Sequence, residues 1–123
     1  MAAWDTGGQA GGTQGEQPLR GERVIDLSGG IAGGYCTKML ADAGAEVVKL
    51  EPPEGDALRR WSASGTPIAD DDGALFQFLA CSKRSVVADP DVADDIRFVL
   101  DLISSARAVV WSPGSRAYRW PRS

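Results

Sequence analysis

A glycine-rich turn at residues 28–34 is the chain's first candidate for ligand chemistry. It follows an apolar, β-branched run typical of a buried strand, and it precedes a stretch with helical periodicity. Backbone amides at such a strand-to-helix turn can face a phosphate or another ligand anion. The same glycines could serve only to let the strand and the helix pack closely. The pattern alone leaves ligand binding and close packing open.

The turn does not carry the dinucleotide-binding fingerprint, because no three glycines stand at its first, third and sixth positions. Glu51 ends the next predicted strand, where it imitates the acidic residue that binds a ribose in dinucleotide-binding folds. A fragment of a nicotinamide-dependent oxidoreductase is therefore the alternative that the pattern favours least.

Two pairs of cations stand within the predicted globular region, Arg59-Arg60 and Lys83-Arg84. The chain as a whole has a net charge of −4, so paired cations at the junctions of loops and regular elements are notable. Such pairs suit the anchoring of a phosphorylated ligand. The alternative is that each is a solvated surface charge.

Two other groups are interpreted as structural. Asp70, Asp71 and Asp72 are adjacent acids in a glycine-flanked loop, an arrangement that rarely converges on one metal ion, and we expect a solvated loop. Cys36 stands near a helix start, where a thiol can have a low pKa. The apolar stripe beside it favours a packed core thiol instead.

The elements that must position these residues alternate between strand and helix. The chain predicts strands at 24–27, 46–50, 85–88 and 108–111, with helices from about Tyr35 to Ala43, at 74–80 and after Asp91, and one short helical turn at 57–61. This order predicts an α/β fold with an open, mostly parallel sheet. The order stops where an α/β domain normally continues, so we expect a truncated fold.

Two apolar stripes predict the buried helix faces. The first helix is expected to bury Tyr35, Met39, Leu40 and Ala43, and to end at Gly44. The last is expected to be capped by Asp91 and to bury Val92, Ile96, Val99, Leu100 and Ile103.

Composition narrows the classes of function. The acidic balance, with a pI near 4.7, favours neither nucleic-acid nor membrane partners, and no signal peptide is visible. A reduced, cytoplasmic protein of one domain is expected, with a disordered leader at 1–17 and an irregular tail at 112–123. The chain has no histidine and two cysteines, so serine–histidine catalysis is excluded and a zinc site is not expected.

Two stretches resemble a known family. Residues 18–59, PLRGERVIDLSGGIAGGYCTKMLADAGAEVVKLEPPEGDALR, are similar to the amino terminus of the family III CoA-transferases, which include formyl-CoA and carnitine–CoA transferases and the α-methylacyl-CoA racemases. Residues 82–89, SKRSVVAD, resemble the family's stretch before its third strand. Two positions depart from the family pattern: Gly34 stands where many members have proline, and Ser82 replaces the usual asparagine.

The resemblance implies a partial, Rossmann-like CoA-binding domain over residues 18–111. It implies CoA or acyl-CoA as substrate, no tightly bound cofactor, and a homodimer in full-length relatives. By family position, Ile31 and Ala32 would approach the CoA. The adenine would be bordered by Ala88, Asp89, Pro90 and Asp91. The family's basic residues, kept here as Arg59, Lys83 and Arg84, are candidates for contacting phosphate or for orienting these loops.

Members of the family act through an aspartate nucleophile. It attacks the acyl-CoA carbonyl to give a mixed anhydride, and the acyl group is then exchanged with a free acid. The family places this aspartate beyond residue 123, so no catalytic residue is expected in this chain. The alternatives are a racemase-type fragment and a non-catalytic nucleotide-binding or interaction module.

Overall fold

The computed structural model describes residues 16–66, 68 and 71–115. Most of the predicted leader and tail therefore lies outside the described residues, as does Asp70. Within the described part, strands and helices alternate as the sequence predicts. They are β1 (Arg23–Leu27), α1 (Ile31–Asp42), β2 (Glu46–Glu51), a 3₁₀ turn (Ala57–Arg60), α2 (Ala74–Ala80), β3 (Lys83–Val87), α3 (Ala93–Ser104) and β4 (Ala108–Trp111).

The four strands form one parallel sheet in the order β3-β2-β1-β4. In the central register, Asp26 of β1 lies opposite Lys49 of β2 and Val110 of β4. The chain builds outward from β1 through β2 to β3, and then returns to the other side of β1 with β4. The sheet therefore has a topological switch point between β1 and β4, and ligands of open α/β folds bind outside the carboxyl ends of the strands there.

One face of the sheet is apolar along its two central strands. Ile25 and Leu27 of β1 and Val48 and Leu50 of β2 are buried there against Val99 of α3. Burial of these side chains supplies the non-directional part of the fold's stability.

The opposite face is apolar near the amino ends of the strands and charged near their carboxyl ends. Near the amino ends, Val24 and Val47 pack against Ala41 and Ala45, in and after α1. Nearer the carboxyl ends, the same face buries three charged side chains, which belong to Asp26, Lys49 and Glu51. These charges lie directly below the edge where a ligand is expected.

Helix α1 differs from its prediction in both start and orientation. It begins at Ile31, because Gly30 takes a left-handed φ of 85° and turns the chain into the helix. The predicted stripe is wrong for Tyr35 and Met39, which are half exposed, whereas Leu40 packs partly against the core as predicted. The buried positions are the small residues Gly34, Thr37 and Ala41. They let α1 approach the sheet and α2 closely, and a Cβ at Gly34 would lie 3.4 Å from the Leu79 side chain.

Helix α3 follows its prediction in part. Val99 is fully buried and Ile96 and Ile103 pack partly against the core, whereas Val92 and Leu100 are exposed. The predicted cap is wrong, because the helix begins one residue later, with Val92 at the N-cap position and no side-chain cap.

Several local predictions are confirmed. Gly44 has a φ of 103° just after α1, and the short helical turn and the helix at 74–80 are present. Strand β3 begins at Lys83, two residues before its predicted start. Cys36 is exposed, so the expectation of a packed core thiol is wrong.

Candidate functional site

A pocket of about 670 Å³ opens at the carboxyl edge of the sheet. Leu50 of β2 forms part of its floor, and three segments form its walls: the glycine turn, the segment after β2 and the loop after β4. The lining residues of the walls are Ser28, Gly29 and Gly30; Pro52, Glu54, Gly55, Asp56, Ala57 and Arg60; and Pro113, Gly114 and Ser115. The pocket thus lies at the switch point that the topology identifies.

The glycine turn brings the amino end of α1 to this pocket. Gly30 is the N-cap residue and has no side-chain cap. The turn also approaches the helix closely, because a Cβ at Gly33 would overlap the Ser28 side chain. An α-helix carries partial positive charge at its amino end, so this end of α1 favours an anion.

Asp26 anchors the glycine turn from below. One carboxylate oxygen accepts hydrogen bonds from the Ser28 backbone N–H (2.9 Å) and from Ser28 Oγ (2.5 Å). The other accepts from Thr37 Oγ1 of α1 (2.6 Å). Complete burial would raise the pKa of Asp26, but the charge of Lys49 and these hydrogen bonds outweigh it and lower the pKa. Asp26 is therefore an anion at neutral pH.

Two lysines neutralise this buried anion. Lys83 Nζ lies 3.3 Å from Asp26 Oδ2 and donates to the Gly34 carbonyl of α1 at 2.9 Å. Burial lowers the pKa of Lys83, partly offset by the charge of Asp26. Lys49 Nζ is 4.0 Å from Asp26, but makes shorter contacts to Asp56 Oδ2 (2.7 Å) and the Ser28 carbonyl (3.1 Å).

Buried Glu51 and partly exposed Arg59 form a second ion pair under the same edge. The Glu51 carboxylate accepts two bonds from Arg59 at 2.8 Å each, one from the Asp56 backbone N–H and one from Ser85 Oγ. Arg59 also binds Asp72 at 2.7 Å and lies over the Phe76 ring. The bonds to Glu51 raise the pKa of Arg59 further above its ordinary value.

Burial would raise the pKa of Glu51, but the bonds from Arg59 lower it overall. Both carboxylate oxygens are engaged by protein groups, and the residue is 2% exposed. Glu51 is therefore not available to a ribose hydroxyl in this conformation, and the reason for considering a nicotinamide cofactor disappears.

Two groups of predicted site residues lie at the carboxyl edge of the sheet. Ile31 and Ala32 lie exposed in the first turn of α1, beside the pocket. The segment 88–91 follows β3 at the same sheet edge, where Ala88 is buried and its N–H donates to the Glu51 carbonyl. Asp89 binds through its backbone N–H to Asp95.

The three predicted basic residues do not converge on the pocket. Arg59 and Lys83 bind the buried acids Glu51 and Asp26. The resemblance implies that these residues either contact phosphate or orient the loops, and this geometry suits the second role. Arg84 is mostly exposed and lies 3.4 Å from Glu46, at the amino end of β2. Their contact with a phosphate stays a prediction.

Two parts of the pocket are absent from the site that the resemblance implies. Arg60, which the sequence offers together with Arg59 as a cation pair suited to a phosphorylated ligand, lines the pocket and is half exposed. Ser112 donates its hydroxyl to the Gly29 carbonyl at 3.0 Å and accepts the Gly29 N–H at 2.9 Å. The stretch after β4, expected to be an irregular tail, therefore clamps the glycine turn and provides the third wall.

Among the residues that the structure describes, no group of three histidine, cysteine, aspartate or glutamate residues is arranged to hold a metal ion. Within the same ranges, no helix combines the length and apolar character needed to cross a bilayer.

Comparison with known proteins gives one consistent family. The sequence profile of CoA-transferase family III matches residues 19–117. The chain is similar to succinyl-CoA:mesaconate CoA-transferase of Haloarcula hispanica, with 41% identity over 93 residues, 72% of this chain and 22% of that protein. It is also similar to succinyl-CoA–D-citramalate CoA-transferase of Chloroflexus aurantiacus, with 50% identity over 74 residues, 59% of this chain and 18% of that protein.

The fold agrees with the sequence comparison. A CaiB/BaiF family protein from Brucella suis superposes with a TM-score of 0.66 and 34% identity, covering 76% of this chain and 25% of that one. The chain thus spans between 18% and 25% of the length of these relatives. The matched residues include every described strand and all three walls of the pocket, and the chain belongs to CoA-transferase family III.

Proposed function

We propose that this chain is the CoA-binding part of a family III CoA-transferase, and that the pocket at the carboxyl edge of the sheet takes the adenosine diphosphate portion of CoA or acyl-CoA. The observation that carries the proposal is the meeting, in one pocket, of the amino end of α1 with Arg60. A phosphorylated ligand is complementary to both.

Of the charged residues that line the pocket, Arg60 is complementary to an anionic ligand, whereas Glu54 and Asp56 carry negative charge. Arg60 Nη1 donates to the Asp71 carbonyl at 3.2 Å and lies 3.9 Å from Asp72. The side chain is half exposed, so its guanidinium can exchange these surface contacts for bonds to a phosphate. Asp56 does not oppose this, because Lys49 neutralises one of its oxygens and the other accepts the Leu58 N–H at 2.8 Å.

The rest of the lining suits the adenosine. The pocket has the volume typical of a site for a small molecule. Leu50, Pro52, Ala57 and Pro113 offer apolar surface to a purine ring. In the proposal, Ile31 and Ala32 approach the CoA at the amino end of α1.

The segment Ala88, Asp89, Pro90 and Asp91 is proposed to border the adenine. Arg59 and Lys83 would orient the loops around the ligand. Arg84, at the other end of β3, would reach a phosphate only after a change of conformation.

For the full-length protein we propose transfer of CoA between an acyl-CoA and a free carboxylate through an aspartyl anhydride. The names of the two CoA-transferase relatives support succinyl-CoA-type donors. The nucleophilic aspartate would belong to a part of the polypeptide beyond these 123 residues. The proposal includes a CoA thioester as a diffusible substrate without a tightly bound cofactor, a homodimer and a cytoplasmic location.

Calorimetric titration with CoA tests the pocket. Arg60→Ala is expected to weaken CoA binding by about 10- to 100-fold, the scale of a hydrogen bond to a charged group. The matched control is Arg97→Ala, which removes an arginine from the exposed face of α3, where it pairs with Asp94. That variant should bind as the wild type does.

Two results would contradict the proposal. One is a wild-type chain that is folded by circular dichroism but does not bind CoA. The other is a folded Arg60→Ala variant with unchanged affinity. NAD is the comparison ligand, and it should bind less tightly than CoA.

A further inference from the structure

We infer that Lys49 is a positioning residue of the pocket, whose ammonium group holds the glycine turn and the segment after β2 at a fixed separation. The inference rests on the proposed function, since it concerns how the same pocket is kept ready for its ligand. It adds a role for a residue that does not itself line the pocket.

The contacts of Lys49 join two of the three walls. Its Nζ atom is 2.7 Å from Asp56 Oδ2 and donates to the Ser28 carbonyl at 3.1 Å. Ser28 and Asp56 both line the pocket, one in the glycine turn and the other after β2. The side chains of Lys49 and Asp56 are 7% and 6% exposed, so water screens this pair little.

Each contact reaches a group that faces the ligand. Asp56 caps the 3₁₀ turn by accepting the Leu58 N–H, and that turn carries Arg60 into the pocket. The Ser28 carbonyl belongs to the same planar peptide group as the Gly29 N–H, which Ser112 binds. Lys49 and Ser112 therefore hold one peptide of the glycine turn from its two ends.

Lys49 also stabilises the Asp26 anion, but that role alone does not explain this geometry. Lys83 Nζ is the closer cation to Asp26, at 3.3 Å against 4.0 Å for Lys49. The short contacts of Lys49 are made to the two walls instead. Removal of its charge should therefore loosen the pocket as well as weaken the fold.

The test compares Lys49→Met, which removes the ammonium group, with Lys49→Arg, which keeps the charge and the donors. We expect Lys49→Met to weaken CoA binding at least about tenfold, and Lys49→Arg to recover most of that loss. Without ligand, Lys49→Met should speed hydrogen exchange of the Arg59 and Trp61 amides, which are bonded within the 3₁₀ turn, by about tenfold.

The matched control is Arg23→Met. It breaks another ion pair between β1 and β2, Arg23 to Glu46 at 2.8 Å, but at the amino end of the sheet. This variant should lose some stability, while its CoA affinity and the exchange of the Arg59 and Trp61 amides stay as in the wild type.

The inference is overturned if folded Lys49→Met keeps wild-type exchange in the 3₁₀ turn, or if Arg23→Met loosens that turn equally. If Lys49→Met does not fold, Asp56→Asn removes the same ion pair and leaves Lys49 beside Asp26. Faster exchange of the Arg59 and Trp61 amides in that variant supports the inference, and unchanged exchange overturns it. A wild-type chain that does not bind CoA contradicts the proposed function, whereas the exchange measurement still decides the role of Lys49.

Discussion

The two faces of the sheet are made by alternating residues of the same strands, yet they bury different chemistry. Ile25 and Leu50 on one face belong to the apolar core that packs against α3. Asp26, Lys49 and Glu51 point to the other face and are equally buried. Solvent exposure alone does not distinguish the two faces, but the directionality of their contacts does.

This difference indicates that the apolar face mainly stabilises the fold, whereas the charged face mainly positions the residues around the pocket. Burial of apolar area contributes roughly 25 cal/mol per Å² and tolerates small shifts in geometry. Buried charges gain little net stability, because desolvation offsets most of their attraction. What they provide is fixed geometry, since each hydrogen bond requires a defined distance and angle. Asp26, Lys49 and Glu51 bond to the glycine turn or to the segment after β2, which form two walls of the pocket, whereas the apolar face contributes only Leu50 to the described lining.

The largest effect is expected from Asp26→Asn. The substitution keeps the size of the side chain but leaves Lys83 and Lys49 without their buried anion. Removal of one partner of a buried pair costs about 3–5 kcal/mol of unfolding free energy. Urea unfolding measures this loss. A loss below about 1 kcal/mol would show that the buried charges are not coupled as the distances indicate.

A smaller effect is expected on the apolar face. Ile25→Val removes one buried methylene group and should cost about 0.5–1.5 kcal/mol of unfolding free energy. The folded variant should bind CoA with wild-type affinity, because Ile25 is part of the apolar core and is not among the residues that line the pocket. If CoA binding weakened tenfold together with stability, the division of roles between the faces would be wrong.

The smallest effect is expected from mild acid. The pKa values of Asp26 and Glu51 are lowered from their ordinary 3.8 and 4.5, so the unfolded chain takes up protons first as the pH falls. Their contribution to stability is complete above these ordinary values and is lost as the pH falls toward the lower folded-state values. The urea midpoint should therefore be level near neutral pH and begin to fall below about pH 4.5.

The acid effect has its own control. Glu51→Gln cannot titrate at this position, so its urea midpoint should fall less steeply with acid than that of the wild type. A wild-type midpoint that stayed level well below the ordinary pKa of Glu51, or rose there, would contradict the pKa directions.

The order of elements could be predicted because its signals are local. Gly44 marks the end of α1, and the resemblance over 18–59 extends the prediction to the fold. The orientation of α1 could not be predicted by seeking large apolar residues. The sheet surface below it carries Asp26, and the residue that meets this carboxylate is Thr37, which supplies a hydroxyl. Tyr35 and Met39 therefore face outward.

The site was harder to predict, because its contacts depend on how the strands pair and on contacts between residues far apart in the sequence. One acid in β1 and one base in β2 interrupt runs that are otherwise apolar, and this was a visible signal. Their proximity depends on the pairing of Asp26 with Lys49 across the two strands. The third wall depends on a contact between Gly29 and Ser112, which are 83 positions apart. Arg59 and Arg60 are neighbours in sequence, and only the 3₁₀ turn decides which one reaches the pocket.

The most direct test of the central claim is to map CoA binding by amide chemical shifts in a ¹⁵N-labelled chain. We predict shifts in the glycine turn and first turn of α1, in the 3₁₀ turn and at residues 114–115. The amides around Glu22 and Arg107, which line a polar recess at the amino edge of the sheet, should not move. Shifts concentrated at that opposite edge, or a folded spectrum that CoA leaves unchanged, would contradict the account.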